Sequence, residues 1–156
     1  MKSILALSLF SILLFSCSSS STRSCPDNAI CGDLSQVSLF PNIATAIAPK
    51  NGSIPDTISV NIEMVTREVS RRQEIPYVID ESSTAVEGEH YQLLDTSPVT
   101  VEKDTFVQPI RILILSNETI ADSVLLNLRV MGNEDFEPAQ NLDTYHLTIK
   151  SADMQN

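Results

Sequence analysis

Few residues in this sequence can do chemistry. Two histidines, His90 and His146, are the only side chains suited to act as a general base near neutral pH. Neither falls in a nucleophile motif such as G-x-S-x-G or a zinc motif such as H-E-x-x-H. His90 stands in a turn and His146 on the outer face of a C-terminal strand. Three cysteines, Cys17, Cys25 and Cys31, lie close together near the N-terminus. Cys25-Pro-Asp-Asn-Ala-Ile-Cys31 closes a short loop. A redox pair is more usually C-x₂-C, and zinc needs two further ligands that the distant histidines do not supply, so a stapling disulfide is expected. Twenty Asp and Glu against ten Lys and Arg give a net charge of −10. That balance disfavours nucleic acid, whose phosphates need a positive field. Arg67, Arg71 and Arg72 form the one basic cluster, in a hairpin-like loop.

The aromatic side chains bear on ligand binding. The chain has no Trp, three Tyr and five Phe. Stacking on sugar rings generally uses exposed aromatics, and the candidates for ligand contact are Tyr77 beside Pro76, Tyr91, and Phe136 near Pro138. Phe106 and Tyr145 fall in apolar alternation and read as core. No nucleophile–base pair can be assembled from motifs, and a short-looped domain of this length leaves little chain to wall a cleft, so a non-catalytic protein is expected.

Residues 1–16 combine Lys2 with an apolar run from Ile4 to Phe15, too short to span a bilayer comfortably but suited to a signal peptide. Leu14-Phe15-Ser16-Cys17 resembles the lipobox of bacterial lipoproteins, with Phe15 bulkier than the usual residue. The resemblance implies that Cys17 is lipidated and that the chain sits on a membrane without crossing it. Ser18 to Ser21 then serve as a flexible tether. Ser18, and the lack of acidic residues after Cys17, point to the outer membrane of the cell envelope with the periplasmic side favoured.

The remainder must position whatever the chain presents. Ile58, Val60, Ile62 and Met64 alternate with polar residues. So do Val124, Leu126, Leu128 and Val130, with Asn127 and Arg129 opposite, and Tyr145, Leu147 and Ile149, with His146 and Thr148 opposite. Phe106, Ile110, Ile112 and Ile114 share a face, and Pro109 implies a local edge or bulge. Shorter runs lie at 35–40, 75–80 and 90–101. Turn signals separate the runs, and no window has sustained helical periodicity. The expectation is an all-β protein, an antiparallel immunoglobulin-like β-sandwich of about seven strands. The organisation expected is a signal peptide at 1–16, a lipidated cysteine, tether and entry loop at 17–34, the sandwich at 35–150 and a tail at 151–156.

Ser83-Thr84-Ala85-Val86-Glu87-Gly88-Glu89-His90-Tyr91 resembles the T-A-x-x-G-x-D-Y signature of Calx-beta-type domains, with His90 in place of Asp. Residues 99–106 and 122–128 are similar to neighbouring strands of those domains. The stretch running on to Phe136 is more similar still to a lipoprotein domain of gut Gram-negative anaerobes whose members accompany polysaccharide-uptake systems. Both resemblances imply an immunoglobulin-like sandwich. Some Calx-beta domains bind calcium, which makes Glu87, Glu89 and Asp122 the metal candidates. Calcium wants six to eight converging oxygens. His90 removes one, and Glu118 is out of register before Asp122, so no cofactor is expected. The function expected is a membrane-anchored interaction scaffold with a protein partner, or alternatively a glycan-binding accessory of a polysaccharide-uptake system.

Overall fold

The computed structural model describes residues 35–116, 120 and 122–152. Cys17, Cys25 and Cys31, with the lipidation and disulfide expected of them, lie outside the described residues. Eleven strands are present among the described residues: β1 (Gln36–Phe40), β2 (Ile43–Ile47), β3 (Asp56–Val65), β4 (Gln73–Ile75), β5 (Tyr77–Ile79), β6 (Tyr91–Leu93), β7 (Val99–Val101), β8 (Val107–Ile114), β9 (Ser123–Val130), β10 (Glu137–Pro138) and β11 (Thr144–Lys150). One sheet has the order β10-β1-β3-β8-β6, the other β2-β11-β9-β5, and β4 pairs with β7 in a two-stranded ribbon. The two main sheets form the sandwich that the alternating patterns imply.

The strand count exceeds seven because proline divides several runs. Pro76 separates β4, which pairs with β7, from β5, which pairs with β9. The segment Ser97-Pro98 interrupts 90–101 between β6 and β7. Nor are the sheets purely antiparallel. β1 runs parallel to β10, and β2 parallel to β11. The cause is a single N-terminal extended segment that leaves the first sheet after Phe40 and joins the second at Ile43.

Within the long strands the expected faces are the observed ones. Val60 and Ile62 of β3, Ile110, Ile112 and Ile114 of β8, Leu126 and Leu128 of β9, and Tyr145, Leu147 and Ile149 of β11 are fully buried. Each large aliphatic side chain so buried contributes about 1.5–3 kcal/mol relative to exposure. Pro109 does sit at a local edge. Its partner on β3 is Asn61, while β6 pairs only with residues 112–114 of β8. The Met64 N–H donates to the Phe106 carbonyl, so even-numbered residues of β8 turn their backbone polar groups to β3. Pro109 therefore faces the side where no ladder is missing a donor.

Two placements differ from expectation. Phe106 is 40% exposed rather than core. It precedes β8, directly after a turn in which the Thr105 N–H donates to the Glu102 carbonyl, so strand alternation does not reach it. Asn127 is only 3% exposed, although it points away from the core with His146. The segment 80–85 lies along β9 and covers it, with the Thr84 and Ala85 N–H groups both donating to the Leu125 carbonyl at 2.8 and 2.9 Å.

Candidate functional site

The signature residues build a corner between β5 and β6, and nearly every one has a structural task. The Thr84 hydroxyl accepts the Leu125 N–H at 2.9 Å, fixing the covering segment to β9. Ala85 is buried. Gly88 has φ +81°, a left-handed conformation that side chains disfavour, and its N–H donates to the Tyr91 carbonyl at 2.8 Å. His90 is buried, and its Nδ1 accepts the Val86 N–H at 2.9 Å, so the ring proton resides on Nε2. Tyr91 is 2% exposed. Burial, then the nearby Glu87 carboxylate, raises its phenol above the ordinary tyrosine value.

Beyond the corner a directional hydrogen-bond chain crosses the outer face of the second sheet. His146 Nδ1 lies 2.7 Å from Asn127 Oδ1, and Asn127 Nδ2 donates to Ser82 Oγ at 2.8 Å. The Ser82 hydroxyl in turn donates to Asp80 Oδ1 at 2.7 Å. The Ser82 N–H and hydroxyl, more than the Arg129 guanidinium, hold the Asp80 carboxyl below the usual range. The chain accounts for every polar atom of the buried Asn127 side chain, which an exposed position would not need. It ties the 80–85 segment to β9 and β11, and His146 is exposed at its end.

Two charged clusters lie elsewhere on the domain. Asp95 accepts from the Arg111 N–H at 2.8 Å and from its guanidinium at 2.9 and 2.7 Å, a bidentate pair that holds the Asp95 carboxyl low. The Asp95 carbonyl accepts the hydroxyl of Tyr77. At the end of the sandwich where the described chain begins, Ser35, Glu68, Ser70, Arg71, Gln73, Asp135 and Phe136 line a polar cleft of about 260 Å³. Arg71 donates through Nε and Nη2 to Asp135 at 3.0 and 2.7 Å, and the buried Gln73 adds a third bond at 2.8 Å. Arg72 is bound by Glu74 at 2.6 Å. Two of the three clustered arginines are thus spent on carboxylates of the chain itself.

The other sequence-marked residues scatter. Tyr77 is 4% exposed, Phe136 3%, so neither these rings nor Tyr91 offer the exposed face expected of a ligand contact. Tyr77 opens β5 opposite the buried Val130 of β9, and the buried Phe136 lies just before β10. Glu87 accepts the Leu93 N–H at 3.3 Å, Glu89 Oε1 lies 3.9 Å from His90 Nε2, and Asp122 is exposed before β9. Among the described residues no three His, Cys, Asp or Glu side chains converge as metal ligands would. Sequence reasoning missed Ser82, Asp95 and the buried role of Asn127. The only signal was the polar run Asp80-Glu-Ser-Ser-Thr84, whose side chains can bond a neighbouring strand in place of a ladder.

The model of the domain of unknown function DUF4843 matches residues 43–155. The chain belongs to the DUF4843 family. No curated protein matches it in sequence. Among solved structures, the apo form of the Calx CBD1 domain superposes with a TM-score of 0.59 at 13% identity, covering 76% of this chain and 97% of that one. The CBD12 fragment of CALX1.2 gives 0.59 at 14% identity, over 76% of this chain and 44% of that one. A two-domain protein of unknown function from Bacteroides fragilis gives 0.55 at 9% identity, over 77% and 46%. The DUF4843 chain thus spans less than half of the latter two. These likenesses show the fold: a Calx-beta-like sandwich, in agreement with the signature at residues 84–91.

Proposed function

We propose that this DUF4843 protein is a membrane-anchored, non-catalytic lipoprotein of the cell envelope that presents its sandwich for contact with protein. The anchor rests on sequence, on Leu14 to Cys17 followed by the serine tether. The observation that carries the interaction reading is the distribution of apolar groups. All three tyrosines and Phe136 are buried, whereas Phe40, at the end of β1, and Ile43 and Ile47, at the two ends of the edge strand β2, are exposed. Buried rings cannot stack on sugars, so the glycan-binding alternative draws nothing from them. An uncharged aliphatic edge strand suits protein contact. A non-catalytic role accords with His90 Nδ1 being occupied by backbone and His146 Nδ1 by Asn127.

Metabolic labelling with a radioactive fatty acid tests the anchor. Label is expected on the wild-type chain and lost in Cys17→Ser, and label retained in that variant would refute it. A glycan array tests the alternative. Specific retention of one glycan class would replace the protein-contact reading.

A further inference from the structure

We infer that β2 is a self-pairing edge, through which two copies of this chain join antiparallel about a two-fold axis at Thr45. β2 pairs with β11 on one side, and among the described residues no strand lies on the other. The His146 N–H donates to the Asn42 carbonyl at 2.8 Å and the Ala48 N–H to the Lys150 carbonyl at 2.9 Å, so the even-numbered residues serve β11. Ile43, Thr45 and Ile47 consequently turn their N–H and C=O groups to the open side. Such an edge is usually blunted by charge or a bulge. Here the strand is Ile-Ala-Thr-Ala-Ile, uncharged, with Ile43 67% exposed.

The occupant is read from the symmetry of that sequence. Ile43-Ala-Thr-Ala-Ile47 is the same in both directions, and Pro41 and Pro49 bound it at equal distance from Thr45. Antiparallel pairing about Thr45 sets Ile43 against Ile47 of the other copy and Thr45 against Thr45, with about six backbone hydrogen bonds at the three facing pairs. Like aliphatic and Thr–Thr pairs are favourable across a sheet. The contact is isologous, so it closes at two chains. The net charge of each copy is screened beyond about 8–10 Å at physiological salt and is absent from the edge itself.

This inference deepens the protein-contact reading by naming the partner, and it does not depend on the anchor. Light scattering of the full chain in detergent, corrected for bound detergent, is expected to give a protein mass of two chains. Thr45→Lys, which opposes two cations on the axis, should halve it, while Gln92→Lys on the far edge strand β6 should not. For an arm independent of that variant's folding, Thr45→Cys should form a disulfide-linked dimer on mild oxidation above the level of the unsubstituted chain. Ile43→Cys should not, because its equivalent lies several residues away across the axis. A mass of one chain for the unsubstituted protein, a dimer that survives Thr45→Lys, or equal cross-linking at 43 and 45 would overturn the inference. Loss of acyl label with the dimer intact would strike the anchor alone.

Discussion

His90 Nδ1 accepts the Val86 N–H at 2.9 Å across a tight corner in which the His90 N–H returns a bond to the Val86 carbonyl, also at 2.9 Å. Nδ1 of histidine and Oδ1 of asparagine or aspartate stand the same number of bonds from the backbone. The imidazole therefore supplies the acceptor that the Asp of the Calx-beta signature can supply from the same place. His90→Asn is expected to leave the thermal midpoint within a few degrees of wild type. His90→Phe fills the volume but orphans the Val86 N–H, costing about 1–3 kcal/mol. Chemical denaturation of the two variants checks the contrast, and equal losses would mean that packing, not the acceptor, is what residue 90 provides.

The outer face of β9 is where pattern and structure part. Period-two alternation placed Leu126 and Leu128 inward correctly, because burial in a sandwich core depends only on which way a side chain points. It also put Asn127 outward, and the side chain does point that way. What alternation cannot register is a segment forty residues earlier in sequence lying across that face. The same limit applies to Tyr77 and Phe136, whose rings are buried beside prolines, and to Phe106, which precedes β8 and is exposed. The signature at 84–91 was legible as a motif, but its partner Leu125, and the Asn127 bonds of the preceding residues 80–83, are long-range and left no local trace. Leu126→Asp is expected to unfold the domain by burying an unpaired charge. Asn127→Leu is no surface change either. It abandons Ser82 Oγ, His146 Nδ1 and the order of the 80–85 segment, and should cost about 1–3 kcal/mol by thermal melt.

Tyr77 and Tyr145 offer opposite expectations from the same substitution. The Tyr77 hydroxyl donates to the Asp95 carbonyl, whereas Tyr145 Oη is buried with no hydrogen-bond partner among the described residues. Tyr77→Phe should lower stability by about 1 kcal/mol, and Tyr145→Phe should leave it unchanged or raise it by a similar amount. Burial pushes both phenols up to about 12. An unfolded tyrosine ionises near 10. The folded state therefore keeps its protonated phenols while the unfolded state sheds them, and stability should fall as pH rises from about 10 to about 12. Alkaline denaturation should be shallower in either Phe variant.

Asp95 governs the acid side. Its hydrogen bonds from Arg111, chiefly those of the guanidinium, hold the folded carboxyl below the unfolded value. Asp135 is lowered in the same way by Arg71 and then Gln73. A depressed carboxyl contributes stability above the unfolded value near 4 and loses it as pH falls through the folded one. Asp95→Asn should thus lower the midpoint at pH 7, and the gap to wild type should close as pH falls from about 4 through the depressed folded value. Parallel melts across that range check it, and a gap of constant size would show that the pair acts through packing.

Gly132 and Gly88 both have positive φ, at +69° and +81°, yet alanine should distinguish them sharply. A Cβ at Gly88 meets nothing within 4 Å, so Gly88→Ala bears only the left-handed backbone, about 1–2 kcal/mol. A Cβ at Gly132 meets the Phe136 carbonyl oxygen at 2.5 Å and the Pro138 ring at 2.9 Å. Neither neighbour is a flexible side-chain end. The Phe136 carbonyl accepts the Asn133 N–H at 2.9 Å, and Pro138 pairs with Val37 at the start of β1. Relief at Gly132→Ala must therefore come from the 133–138 loop, which also holds Asp135 against Arg71 and Gln73. The loss should exceed that of Gly88→Ala by more than the backbone strain alone, and hydrogen exchange should quicken at Asn133 to Ala139 before the core strands respond. Equal melting losses in the two variants, with no local exchange change near Asn133, would show that this loop yields freely and does not brace the cleft it lines.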